Sequence, residues 1–174
     1  MRKALLTVAL ATAFVATPAM AQEGVGPSAG DWELQLGGGG SNDNEFSESS
    51  FSADITLGYY FDSNWQGVIR QGADYSDLGG TAWNGSTRVG IAYHFDGFGQ
   101  VRPFLGAGVG YIYGDSVNDS WTAAGTGGLK WYVKPETFIF GRVDYEWLFD
   151  DGDDAEDSFD DGRFLYTVGI GFNF

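Results

Sequence analysis

From about residue 31 onward, apolar and polar side chains alternate with a period of two. Between about 51 and 61, Ala53, Ile55, Leu57, Tyr59 and Phe61 interleave with Ser52, Asp54, Thr56, Gly58 and Tyr60. A strand with two unlike faces has this pattern. It recurs at about 31–39, 65–75, 82–95, 101–113, 120–133, 138–149 and 163–174, so eight strands are predicted. Parity is least clean in the third, where Val68 falls on the polar face and Gln71 on the apolar one. The breaks after the second, fourth and sixth strands are short: Asp62 to Asn64, Asp96 to Gln100 and Lys134 to Thr137. The other breaks are mostly longer and more polar. Short turns at one end and longer loops at the other match an outer-membrane barrel, whose tight turns face the periplasm.

The height of the aromatic residues sets the direction of the faces. On the apolar faces Trp32, Tyr59, Trp65, Tyr93, Trp131 and Phe174 cluster toward the turn end. Phe51, Tyr75, Trp83, Trp121, Tyr145 and Trp147 cluster toward the loop end. Aliphatic and small residues lie between them. Two aromatic belts around an aliphatic band fit two water–hydrocarbon interfaces. The expected fold is therefore all-β: a transmembrane, antiparallel, up-and-down barrel of eight strands, apolar outside and polar inside. A soluble barrel with the opposite orientation is the architectural alternative.

Composition adds constraints. Arg2 and Lys3, the apolar run from Ala4 to Val15 and the Ala19-Met20-Ala21 cleavage pattern read as a secretory signal peptide. Residues 1–21 are thus expected to be removed, leaving residues 22–174 as one barrel domain with a short tether from Gln22 to Gly30. No further domain is expected after Phe174. The formal charge of −15 argues against nucleic-acid binding, which needs a basic footprint. The chain has no cysteine, so thiol chemistry and Cys-ligated zinc are excluded.

Several segments carry a family resemblance. Arg102-Pro103-Phe104-Leu105-Gly106-Ala107-Gly108-Val109-Gly110-Tyr111 resembles the proline-plus-glycine strand of small eight-stranded outer-membrane β-barrels. That group includes opacity-type proteins and the membrane domain of outer-membrane protein A. Gly127 to Val133, leading into Arg142 to Tyr145, is similar in the same way. The last strand, closing on Phe172 and Phe174, resembles the terminal aromatic signal read by the family's barrel assembly machinery. The resemblance implies fold and location. It implies no single function, because members include anchors, adhesins, narrow channels and lipid-modifying enzymes.

Parity points eight charges inward: Glu33, Asp54, Asp144 and Glu146 against Arg70, Arg88, Lys130 and Arg142. Buried charges must be paired, which predicts a cross-lumen network of Asp54, Arg70, Arg88, Arg142, Asp144 and Glu146. Its role is structural, or it is the gate of a narrow conduit. Eight of the twelve residues from Asp150 to Asp161 are acidic. Asp150, Asp151, Asp153 and Asp154 are the candidates there for a divalent cation, though their spacing is not that of an EF-hand. The other reading is a solvated loop extended by self-repulsion. His94 is the only histidine and reads as a structural residue at a turn end, with no serine placed beside it for acyl chemistry. Gly106, Gly108 and Gly110 lack phosphate-loop spacing and are expected to make room for Phe104 or Tyr132.

The sequence thus predicts a monomeric, non-enzymatic outer-membrane barrel without cofactor. Its partners are outer-membrane lipid, lipopolysaccharide and the assembly machinery. A structural or surface-interaction role is expected first, a narrow channel for small solutes second, and a lipid-modifying enzyme last.

Overall fold

Alternation makes each segment a strand, and pairing neighbours in order rolls the strands into a ring. The computed structural model describes residues 25–43, 49–76, 82–114, 120–149 and 162–174. Residues 1–21, expected to be a signal peptide, and the acidic segment from Asp150 to Asp161 lie outside the described residues. The eight strands are β1 (Trp32–Asp43), β2 (Ser49–Tyr60), β3 (Trp65–Ser76), β4 (Ala82–His94), β5 (Val101–Gly114), β6 (Ser120–Tyr132), β7 (Thr137–Phe149) and β8 (Arg163–Asn173). They form one closed barrel in sequence order. β1 meets β8 antiparallel from Glu33 opposite Asn173 to Asp43 opposite Arg163, which removes both sheet edges.

The faces are inside-out relative to a soluble protein. Ile91, Val109 and Ile170 are 53%, 53% and 56% exposed on the outer surface. Glu33, Lys130, Asp144 and Glu146 are all within 1% of complete burial. Charged residues are almost never fully buried unless paired, so the enclosed space is a polar lumen and the apolar band faces lipid.

Strand β1 runs four residues beyond its expected end, to Asp43, and β2 begins at Ser49 rather than 51. The sheet therefore continues into a stretch whose glycines and serines had masked the alternation. The odd parity in β3 needs no bulge, since pairing with β4 is unbroken from Trp65–Tyr93 to Ser76–Ala82. Val68 does turn inward and Gln71 outward. Gln71 is satisfied on the apolar surface: its Nε2 donates to the Tyr113 hydroxyl at 2.8 Å, and Thr87 Oγ1 donates to its Oε1 at 2.7 Å.

The role expected for the β5 glycines is corrected. A Cβ on Gly106 or Gly108 would meet the carbonyl oxygens of Ile91 or Val89 on neighbouring β4, at 2.9 and 2.6 Å. One on Gly110 would meet that of Thr87 at 2.9 Å. Close strand approach, not room for Phe104 or Tyr132, keeps them small. Ring space comes from other glycines: Phe104 lies against Gly128, Phe140 against Gly169 and Phe138 against Gly171.

The turn end is tied together by hydrogen bonds. Asp62 Oδ1 accepts from the backbone N–H groups of Asn64 and Trp65 at 2.8 and 2.7 Å, which holds its exposed carboxyl below the usual range. The described part of the expected tether is not free. Gly26 N donates to Pro135 O at 3.2 Å, and Gly26 and Pro27 are buried beneath the barrel floor.

The orientation predicts a clear asymmetry. Val109→Arg, at mid-height on the outer face, should destabilise the barrel by about 2–4 kcal/mol in lipid. Denaturant titration in vesicles measures it; an unchanged midpoint would contradict a lipid-facing Val109.

Candidate functional site

The lumen is built in layers from the turn end upward. An eight-stranded barrel is just wide enough for side chains to fill, so every inward residue must find partners there. At the turn end, Glu33 of β1 sits opposite Lys130 of β6. Lys130 Nζ donates to both Glu33 oxygens at 2.7 Å and to the Tyr60 hydroxyl at 2.9 Å. Glu33 also accepts from Tyr60 (3.0 Å), Gln35 (2.6 Å) and Gln66 (2.8 Å). The rings of Tyr60, Phe104 and Phe138 surround the ammonium at 5.0–5.5 Å. Tyr132 and Phe140 complete a layer with almost no exposed atoms.

Asp144 of β7 is the hub of the central layer. Its Oδ1 lies 3.0 Å from Arg70 Nη1 and 3.5 Å from Arg88 Nη1, and its Oδ2 is 3.1 Å from Arg142 Nε. Thr126 donates to it as well. Arg142 reaches on to Asp54 at 2.6 Å. Arg88 pairs with Glu146, which also binds Arg163 at 2.6 Å. Arg70 and Arg88 are register partners on β3 and β4. Like charges placed side by side repel, and Asp144 between them offsets that repulsion.

The structure brings together all six residues of the expected network: Asp54, Arg70, Arg88, Arg142, Asp144 and Glu146. The expected count of four acids and four bases is too small. Asp74, Arg102 and Arg163 are also inside. Strand parity already carried that signal, since all three share the inward parity of their strands. Arg102 forms the floor: Nη2 donates to Ser63 O at 2.8 Å and pairs with Asp96. Asp74 Oδ1 is buried without a hydrogen-bond partner.

His94 is enclosed, not at the rim. Its Nδ1 lies 3.2 Å from Asn64 O, its Nε2 3.4 Å from the Tyr60 hydroxyl, and its ring stacks on Phe104. Because a carbonyl only accepts, Nδ1 carries a hydrogen. Phe172 and Phe174 lie at the closing seam, where Trp32 and Phe174 exchange backbone hydrogen bonds at 2.8 and 2.9 Å. The candidate cation ligands Asp150, Asp151, Asp153 and Asp154 lie outside the described residues. Among the described residues no group of three or more carboxylate, histidine or cysteine side chains is arranged to hold a metal. Between the two charged layers lies a cavity of about 30 Å³, more than the ~10–15 Å³ that a single water requires.

Solved outer-membrane barrels share this architecture. Neisserial surface protein A matches with a TM-score of 0.67 at 15% identity, over 85% of this chain and 99% of its own. The N-terminal barrel of Pseudomonas aeruginosa OprF matches at 0.65 and 17%, over 85% and 100%. The chain has the fold of these eight-stranded outer-membrane β-barrels. OprG from Pseudomonas aeruginosa has the same fold, with a TM-score of 0.59 at 16% identity, over 86% of this chain and 98% of its own. No family model matches this barrel. A curated relative, the uncharacterized outer-membrane protein y4mB of Sinorhizobium fredii, is 27% identical over 114 residues. That match takes in 53% of the barrel's chain and 50% of the relative, so the barrel spans about half the length of the curated relative.

Removing the hub should show how the layers are coupled. Asp144→Ala leaves Arg70 without a carboxylate partner in a low-dielectric lumen, takes one of two from Arg88 and Arg142, and should cost about 3–5 kcal/mol. Asp96 is 57% exposed, so Asp96→Ala should cost about 1 kcal/mol or less. Equilibrium unfolding of both variants in lipid checks the contrast.

Proposed function

We propose that this barrel is sealed and works through its surface, as a structural or surface-interaction protein of the outer membrane rather than an enzyme. The observation that carries the reading is the packed lumen. Tyr60, Lys130, Tyr132, Phe138 and Glu33 are each 0–1% exposed, and the ion-paired layer sits above them across a small cavity. A water column cannot pass two such layers without breaking buried ion pairs, which is strongly unfavourable. On this reading the loops meet lipopolysaccharide or molecules outside the cell, and the protomer acts alone. The lipid-modifying alternative needs a histidine near the outer rim, whereas His94 is enclosed at the turn end of β4. Planar-bilayer recording tests the proposal: the wild type should show no conductance steps.

A narrow channel is the second reading, and one observation favours it. Arg70 and Arg88 reach Asp144 across the lumen, from β3 and β4 to β7, so swinging these side chains would loosen the central layer. The turn-end layer separates the two readings. Asp144→Ala should leave conductance near zero, because the Lys130–Glu33 layer still closes the barrel. Open steps in that variant would favour the channel.

Phe172 and Phe174 are proposed as the assembly signal. Their rings lie 6.1 Å apart beside the closing seam, at the end of the last strand. Phe174→Ala should lower the folded, heat-modifiable fraction in cells while leaving refolding in detergent intact. Equal loss in both settings would make its role purely structural.

A further inference from the structure

The cavity between the two lumen layers has a one-sided lining. Arg70 and Arg88 reach it from the central layer and Lys130 from the turn-end layer, and no carboxylate borders it. The acids that neutralise these three cations, Asp144, Glu146 and Glu33, stand outside the cavity wall. Arg88 Nε is buried and has no hydrogen-bond partner. Arg88 spends its two Nη atoms on Asp144 and Glu146, so Nε is a donor left over. The far wall is made by Gly90, Gly106 and Gly108. Close strand approach excludes side chains at these three positions, so this wall stays bare backbone. A buried, unpaired donor on a charged group carries a large desolvation cost. Cationic walls in a low-dielectric space also concentrate positive potential. The cavity therefore favours a small occupant that accepts hydrogen bonds and carries negative charge.

We propose that this cavity is a resident site for a single monovalent inorganic anion of the halide class, held by Arg88 with Arg70 and Lys130 around it. The anion completes the packing between the two layers. It rests on the sealed-lumen reading only in being resident rather than in transit, and occupancy is measured independently of conductance. The probe is bromide. The full barrel is crystallised in sodium bromide and anomalous diffraction is collected at the bromine edge. In parallel, its thermal unfolding midpoint is followed as sodium bromide replaces sodium gluconate at constant ionic strength. The expected results are one anomalous peak within hydrogen-bonding reach of Arg88 Nε and a midpoint that rises with bromide, as for any ligand bound only by the folded state. Arg88→Lys keeps the charge and removes the Nε donor; it should lose the peak and flatten the bromide dependence. Should Arg88→Lys fail to fold, the wild-type peak and titration decide alone. A cavity holding only water, a midpoint indifferent to bromide, or a peak undiminished in a folded Arg88→Lys barrel would overturn the assignment. Bromide occupancy alongside open conductance would retain the site and overturn the sealed reading; no occupancy without conductance would do the reverse.

Discussion

Hydrocarbon offers no partner for a backbone N–H or C=O, so a sheet can cross a membrane only by closing on itself. In this protein that constraint is met where β1 pairs with β8. Closure of eight strands sets a narrow interior, and the period-two alternation then sends half of every strand into it. Those inward residues include Arg70, Arg88, Lys130 and Arg142, which cannot be left unpaired at such burial. The ion-pair network follows from geometry that the seam imposes.

The two lumen layers meet this demand differently. At the turn end one lysine is enclosed by a carboxylate, a tyrosine hydroxyl and three rings. That arrangement combines a charge-assisted hydrogen bond with cation–π attraction. In the centre, flat guanidinium groups share two carboxylates, each of which joins donors from more than one strand. Arginine suits this role because its several fixed donors bridge neighbouring acids. The outer surface carries the opposite chemistry, and its few polar groups bond one another, as Gln71, Thr87 and Tyr113 do.

On the proposed sealed-lumen reading, contacts with other molecules fall to the ends of the barrel. The turn end is itself tied: Arg102 links the turn at Ser63 to Asp96, and Gly26 binds Pro135. The floor is thereby part of the folded structure. Fold likeness at 15–17% identity carries the architecture and not a ligand.

Strand number, strand order and the outward direction of the apolar face were legible in the sequence. A period of two is a local property, and the placing of aromatic rings by height records the two interfaces. Inward charges were legible too, up to the omission of Asp74, Arg102 and Arg163. What lay beyond the sequence was partnership. Lys130 meets Glu33 across 97 positions and Arg142 meets Asp54 across 88. Such pairs depend on how each strand is staggered against the next around the whole ring, a relation no local pattern encodes. The same holds for the glycines: only the neighbouring strands show that Gly171 yields to a ring, Gly106 and Gly108 to carbonyls, and Gly169 to both. Alternation along one strand thus decided which side chains entered the lumen, and the closed tertiary structure decided which of them touch, because contact across a barrel is fixed by register summed over many strands.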